Sequence, residues 1–257
     1  MRPLSVVTGA TAGIGREFCE RLAARGHDLV IIARDAARLD ALSRDLATRH
    51  GIQAEPLRAD LSRDDEIERV AGRIRNGPPL AILVNNAGFG TTGTIARADP
   101  ARQVAMLHLH TLAPMRLAQA ALAGMLERRA GAIVNVSSVA SFIYAPGNAN
   151  YSATKAYLTV FSEGLAGEVA QAGVQVQALC PGFTRTEFHD RMGLKAAELQ
   201  KRPFWLSAEY VVAYSLRCLD RRGPVVCIPD WRYKLVVFLI RLMPRRLLGA
   251  VTRRGAS

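Results

Sequence analysis

The first fifteen residues constrain this chain more than any other stretch. Leu4-Ser-Val-Val7 reads as a short buried strand, and Thr8-Gly9-Ala-Thr-Ala-Gly13-Ile14-Gly15 follows at once. An apolar helical pattern then begins with Phe18, Leu22 and Ala23. Strand, glycine turn and helix in that order form the unit that binds a dinucleotide pyrophosphate. Gly9 allows the tight turn, Gly13 lets backbone approach a phosphate, and Gly15 lets helix pack on strand. The free N–H groups at the helix start, Ile14 among them, face the anion. An ordinary glycine turn is the rival reading, and the strand before it favours nucleotide binding.

The rest of the chain repeats that alternation. Short, mainly apolar runs occur at Val6-Val7, Leu29–Ile32, Ile82–Val84, Ile133–Val136, Val174–Leu179 and Val225–Ile228. Helical segments separate most of them, as expected for strands covered on both faces. The pattern predicts an α/β fold, a Rossmann-type doubly wound parallel sheet of about seven strands with helices on both faces. At 257 residues the simplest organisation is one domain over 1–232, followed by a basic, apolar C-terminal tail over 233–257.

A second pattern carries chemistry. Tyr151-Ser-Ala-Thr-Lys155 puts a phenol and a cation at i and i+4, one turn apart on a single helix face. A cation there favours phenolate and is expected to lower the tyrosine pKa towards working pH. A tyrosine tuned that way can give or take a proton at a carbonyl or alcohol oxygen.

Taken with the glycine turn, these residues resemble the short-chain dehydrogenase/reductase family. The resemblance runs over about residues 4 to 230, with its motifs in the family's order: Thr8-Gly-x-x-x-Gly13-x-Gly15, Asn85-Asn86-Ala87-Gly88, Ser138, Tyr151-x-x-x-Lys155 and Pro181-Gly182. Ser138 lies 13 residues before Tyr151, a spacing the family shares. The resemblance implies that Ser138 polarises a substrate oxygen and that Tyr151 is the general acid or base. It gives Lys155 the tyrosine pKa and the nicotinamide ribose. Ser137 is the rival serine. The same resemblance implies that Asp60 and Asn86-Ala87-Gly88 border the adenosine. It runs Pro181-Gly182 along the nicotinamide, with Thr186 bonding the carboxamide and Thr184 offering its backbone N–H.

Cofactor preference is legible in charge. Ala33 stands where an acid would hold a ribose 2′-hydroxyl, and Arg34 follows it, which suits a 2′-phosphate. Arg38 is a second candidate for that phosphate, and Asp35 is the counter-argument. The reading is NADP(H), with NAD(H) second. His110 is the departure from the family pattern. It occupies the position where relatives carry an asparagine that completes a proton relay. Its imidazole either continues a relay through water or holds the helix kink before Pro114.

Substrate recognition is expected from a lid over about 187–207, whose Phe188, Met192, Leu194, Leu199, Phe204, Trp205 and Leu206 favour an apolar carbonyl compound or secondary alcohol. The resemblance is to relatives acting on 3-oxoacyl thioesters, lipids, steroids or general ketones, and it implies a homodimer or homotetramer. The alternative is a catalytically weak dinucleotide-binding regulatory or membrane-surface protein that retains the fold.

Net charge is +12, and residues 221–254 hold nine basic residues against Asp230 alone. Within that stretch Leu235–Ile240 is too short and too closely flanked by charge to span a bilayer. A basic, apolar-faced helix suits peripheral contact with a membrane surface or an acidic partner, and a dimer contact is the plainer reading. Aromatic residues are few and no reading module for nucleic acid appears. The four cysteines show no C-x-x-C spacing, and the five histidines form no metal-ligand motif. The residues before the first strand are too few for a secretory h-region, so a reducing cytoplasm is expected.

Overall fold

The computed structural model of the protein describes residues 2–91, 93–143, 146–187 and 204–243. Strand β1 (Leu4–Thr8) leads into α1 (Gly13–Ala24), then β2 (Asp28–Ala33), α2 (Ala36–His50), β3 (Ala54–Arg58), α3 (Asp64–Arg75) and β4 (Leu80–Asn85). The second half runs α4 (Pro100–Leu107), α5 (Ala113–Glu127), β5 (Gly131–Val136), α6 (Ala149–Val169) and β6 (Val174–Leu179). It ends with β7 (Thr184–Arg185), β8 (Leu206–Ser207), α7 (Ala208–Asp220), β9 (Val226–Cys227) and α8 (Trp231–Leu242).

Seven strands form one sheet in the order β3-β2-β1-β4-β5-β6-β9, every pair parallel. Successive strands leave β1 in one direction and, after β4, in the other. That reversal opens a crevice beyond the carboxyl ends of β1 and β4. Each face of the sheet is covered. Phe18 and Leu22 of α1, Leu39 and Leu46 of α2, and Val211 and Leu216 of α7 pack on one side. Ile67 and Val70 of α3, Leu117 and Met125 of α5, and Leu165 of α6 pack on the other. Each such side chain contributes about 1.5–3 kcal/mol on leaving water, so the two layers carry most of the stability.

Several helices start where their sequence says they should. Asp35 caps α2 by accepting from Arg38 N at 3.0 Å, Asp99 caps α4 ahead of Pro100, and Asp230 caps α8. Pro114 has no N–H to offer the His110 carbonyl, and the chain widens into a π turn over His108–Leu112 between α4 and α5. A buried polar chain ties the sheet centre to α6. Asn85 Nδ2 donates to Asn135 Oδ1 at 2.8 Å, and Asn135 Nδ2 donates to Ser162 Oγ at 2.9 Å.

The boundary expected between residues 232 and 233 falls inside α8. Tyr233 and Val237 of that helix are buried members of the core, so 233–242 belongs to the domain, and residues 244–257 lie outside the described ones. Among the described residues no helix is long and apolar enough to cross a membrane, and no cluster of His, Cys, Asp or Glu is placed to hold a metal.

Candidate active site

A cavity of about 1330 Å³ runs across the carboxyl end of the sheet. Gly9, Gly13 and Ile14 line one end, with Arg34, Arg38 and Asp60 beside them. Asn86, Ala87 and Gly88 continue its wall, Ser138, Tyr151, Lys155, Pro181, Gly182 and Thr184 line the other end, and Thr186 lines it against Gly13. Three expected residues do not line it: Thr8, Gly15 and His110.

Thr8 and Gly15 work behind the wall. The Thr8 hydroxyl donates to Val84 O at 3.3 Å and accepts from the backbone N–H groups of Asn86 and Ala87 at 2.9 and 3.0 Å. Asn86 Nδ2 returns the bond to Thr8 O and Gly9 O at 2.9 and 3.2 Å. The loops after β1 and β4 are thereby clamped together, and Asn86 spends its amide on that clamp. Gly9 turns with φ +66, a left-handed backbone that favours glycine. A β-carbon on Gly15 would stand 2.2 Å from Gly9 O, so the helix sits directly on the turn.

The start of α1 fits a pyrophosphate. Its N-cap, Ala12, has no side chain to satisfy the first N–H groups, and its first turn holds no acid. Those donors and the helix dipole are left for an anion. Gly13 lines the cavity, and a β-carbon there would meet the Thr186 side chain at 2.8 Å, so this glycine also lets the chain just after β7 close over the turn.

Beside the glycine turn, Arg34 is exposed on the cavity and has no carboxylate partner among the described residues. Asp35, the counter-argument for an acid at the ribose, is engaged as the α2 cap. Arg38 is less available than expected: its guanidinium donates to both Glu187 oxygens at 3.0 and 3.3 Å. Asp60 holds its own loop, accepting from Ser62 N and Ser62 Oγ at 3.1 and 2.7 Å.

At the other end, Tyr151 stands in the first turn of α6 and Lys155 one turn on. The rival serines separate cleanly. Ser137 Oγ donates to Lys155 O at 2.8 Å and meets Thr159 Oγ1 at 2.8 Å, so it faces α6. Ser138 Oγ accepts from Ala140 N at 3.1 Å and hydrogen-bonds the Tyr151 phenol. Burial pushes the Tyr151 hydroxyl up to about 12, and the Ser138 bond acts against that rise.

The expected effect of Lys155 on Tyr151 needs correction. Lys155 Nζ donates to Val136 O at 2.8 Å and lies 5.8 Å from the Tyr151 ring centroid. Its charge is turned towards the end of β5, and desolvation outweighs any lowering of the phenol pKa. Burial brings Lys155 itself down to about 8, against a small opposing effect of Cys180.

Both ring nitrogens of His110 are engaged by protein groups, and the ring stands edge-on to Tyr151 at 5.8 Å between centroids. Its Nε2 accepts from Phe89 N at 3.1 Å. Its Nδ1 is 3.0 Å from Thr154 Oγ1, and that hydroxyl donates to Tyr151 O at 2.8 Å. The tautomer with hydrogen on Nδ1 satisfies all three groups. Burial, with the Lys155 charge second, holds His110 well below the usual histidine range, so the ring is neutral. It bridges the loop after β4 to α6 rather than the kink backbone. His108 faces elsewhere, with Nδ1 2.9 Å from Asp64 Oδ1.

Thr184 donates its hydroxyl to Gly182 O at 3.0 Å, and Pro181 O accepts from Val139 N at 3.0 Å. The lid residues Phe188, Met192, Leu194 and Leu199 lie outside the described ones. Leu206 pairs with Thr184 in the small sheet, Trp205 packs 5.4 Å from Phe183, and Phe204 packs on Tyr233. None of these three lines the cavity. Among the described residues its apolar wall comes from Phe89, Ile143, Phe183, Val236 and Val237, with Arg102 also lining it. Sequence reasoning missed these. The one available signal was Tyr233 and Val237 at i and i+4, a buried face inside the segment read as a tail.

Over residues 4–196 the chain matches the family described as short chain dehydrogenase. It is 35% identical over 185 residues to the 3-oxoacyl-(acyl-carrier-protein) reductase FabG of Aquifex aeolicus, covering 72% of this chain and 75% of that protein. A short-chain dehydrogenase from Sphingobium yanoikuyae, solved in complex with NADPH, superposes with a TM-score of 0.84 at 35% identity, covering 95% of this chain and 97% of the other. The bulky-bulky ketone specific alcohol dehydrogenase from Comamonas testosteroni gives 0.79 at 32% identity over 95% of each chain. The clamped glycine turn, the seven-stranded parallel sheet and these matches agree, and the chain belongs to the short-chain dehydrogenases, oxidoreductases acting on CH–OH and C=O groups.

Proposed function

We propose that this chain is an NADP(H)-dependent carbonyl reductase, or alcohol dehydrogenase in reverse, for apolar ketones and secondary alcohols. The observation that carries the reading is the hydrogen-bonded Ser138–Tyr151 pair on a cavity with an apolar wall. When bound, a nicotinamide dinucleotide supplies hydride to a carbonyl carbon or takes it from an alcohol. Ser138 holds the substrate oxygen by a hydrogen bond. Tyr151 gives that oxygen its proton on reduction and removes it on oxidation. Lys155 is the cation of the site and the second group on the ribose side. Pro181, Gly182 and Thr186 border the nicotinamide. Gly9, Gly13, Ile14, Asp60, Ala87 and Gly88 border the rest of the dinucleotide.

Preference for NADP(H) rests on Arg34, exposed at the cavity with Asp35 engaged elsewhere. The NADPH complex of the Sphingobium yanoikuyae relative and the ketone specificity named for the Comamonas testosteroni enzyme support the same reading. Val104 and Leu107 of α4 and Tyr157 and Val160 of α6 are exposed apolar side chains, a face suited to a second copy in a cytoplasmic homo-oligomer.

The test is NADPH consumption, with NADH in parallel, across carbonyl compounds from small ketones to 3-oxoacyl thioesters and steroids, with Tyr151→Phe as control. Turnover lost in the variant supports the enzyme and its best substrate names the class. NADPH binding with no turnover on any compound moves the reading to a dinucleotide-binding regulator.

A further inference from the structure

Helix α8 is amphipathic twice over. Tyr233 and Val237 face the core and are buried. Trp231, Leu235, Phe238, Leu239 and Leu242 point away from it and are between 49% and 70% exposed. Their spacing of i, i+4, i+7, i+8 and i+11 places them on an arc of about 100° on a helical wheel. Large apolar side chains concentrated on one solvent face mark an interaction surface rather than scattered exposure.

Charge identifies the partner. Lys234 and Arg241 fall together along one border of the stripe. Lys234 Nζ is 2.7 Å from Tyr214 OH, and the Arg241 guanidinium lies 4.9 Å from the Phe142 ring centroid, so both are held beside the helix. Arg245, Arg246, Arg253 and Arg254 follow in the sequence. A two-fold contact through this face would bring in the cations Lys234 and Arg241 of both copies, with no acid in the helix to meet them. An anionic lipid surface takes the apolar stripe and the cations together. The apolar face on α4 and α6 leaves a second copy a different place to bind.

The same helix also borders the cavity. Val236, on the same helix, is exposed and lines the cavity wall with Val237, and Phe183, also exposed, lines it nearby. Phe183 N donates to Tyr233 OH at 3.0 Å, which fixes that rim to α8. We infer that α8 seats the protein on an anionic membrane surface with the rim of the cavity at the lipid boundary, so that its carbonyl substrate is one dissolved in the bilayer. The substrate part rests on the reading of the cavity as an apolar-carbonyl site; the seating does not.

The test uses the full-length protein with vesicles of phosphatidylcholine alone or mixed with phosphatidylglycerol. Sedimentation with vesicles and the fluorescence of Trp231 report binding. The protein is expected on the mixed vesicles, with a blue shift that Trp231→Phe removes, and release by salt. The triple variant Leu235→Glu/Phe238→Glu/Leu239→Glu is expected to bind about tenfold more weakly or worse, and to keep its turnover of a small water-soluble ketone. Lys234→Gln/Arg241→Gln is expected to weaken binding to the mixed vesicles with the stripe intact. Mixed vesicles should raise the wild-type rate on a bilayer-dissolved ketone and leave the triple variant's rate unchanged. No binding to mixed vesicles overturns the seating, as does equal binding by the triple variant. A triple variant that falls to a smaller assembly in solution makes the stripe a contact between copies and also overturns it. Binding as expected with no turnover of any ketone keeps the seating and removes the catalytic reading.

Discussion

His110 Nδ1 stands 3.0 Å from Thr154 Oγ1, and through that hydroxyl it fixes the backbone carbonyl of Tyr151. The imidazole therefore positions the helix turn that carries the phenol, from behind the residues that line the cavity. His110→Ala strips partners from Phe89 N–H and Thr154 in a buried site and is expected to cost about 1–3 kcal/mol of stability. Urea unfolding at neutral pH measures it.

The same residue sets a pH slope. Its folded pKa lies well below the usual 6.5, so below that value the unfolded chain takes a proton that the folded chain refuses. Wild-type stability is expected to be flat above about pH 6.5 and to fall as pH drops below it. His27, also lowered by burial, contributes in the same direction. His110→Asn should show a shallower fall, read from midpoints at pH 7.5 and 5.5.

Lys155 at about 8 predicts the upper limb of the activity profile. Its ammonium is present below that pH and is lost as pH rises through it. For reduction, kcat/KM is expected to decline above about pH 8, towards about tenfold per unit. Lys155→Met should remove the inflection as well as most of the rate. Tyr151→Phe should lower turnover by about 10²–10⁴-fold while NADPH still binds.

Arg34 and Arg38 should not be equal. Arg34 is unpaired by any carboxylate among the described residues, and Arg38 is forked to Glu187. Arg34→Ala is expected to weaken NADPH by about tenfold or more and to leave NADH unchanged, since a lost charged contact is worth about 1.5–3 kcal/mol. Arg38→Ala should move NADPH less. Isothermal titration with both cofactors checks the pair, and an equal effect on NADH would remove Arg34 from the 2′-phosphate.

Gly182 meets Tyr233 more closely than any side chain allows: a β-carbon there would stand 2.0 Å from the Tyr233 Cζ. Gly182→Ala is expected to cost about 1–3 kcal/mol by overpacking. The loss should be largely recovered in Gly182→Ala/Tyr233→Ala relative to Tyr233→Ala alone, a coupling that a double-mutant cycle reads directly.

The sheet was legible because its signals are local and repeated. Leu29–Ile32 is apolar throughout, Val174–Leu179 is interrupted only by Gln175 and Gln177, and the glycine turn Gly9–Gly15 sits where the first strand ends. The Ser138–Tyr151–Lys155 wall was legible because one helix and one strand end fix its spacing. What stayed hidden depends on contacts distant in sequence. Thr8 reaches Asn86, and Gly13 reaches Thr186. The Tyr151 pKa answers to burial more than to the cation four residues on. Phe204, Trp205 and Leu206 carry the lid's apolar flavour, yet their partners are Phe183, Tyr233 and Thr184. Helix α8 was read as a tail because its buried residues, Tyr233 and Val237, are outnumbered by exposed apolar ones.

That helix has a consequence for how the protein comes into being. Synthesis delivers the N-terminus first, so the nucleotide turn and every side chain proposed for proton transfer leave the ribosome before α8 exists. Until Tyr233 arrives, Gly182 borders an opening in the core, and the cavity lacks the wall formed by Val236 and Val237. A chain halted just short of that point is chemically furnished and structurally unsealed, which makes α8 the element whose arrival closes the cavity.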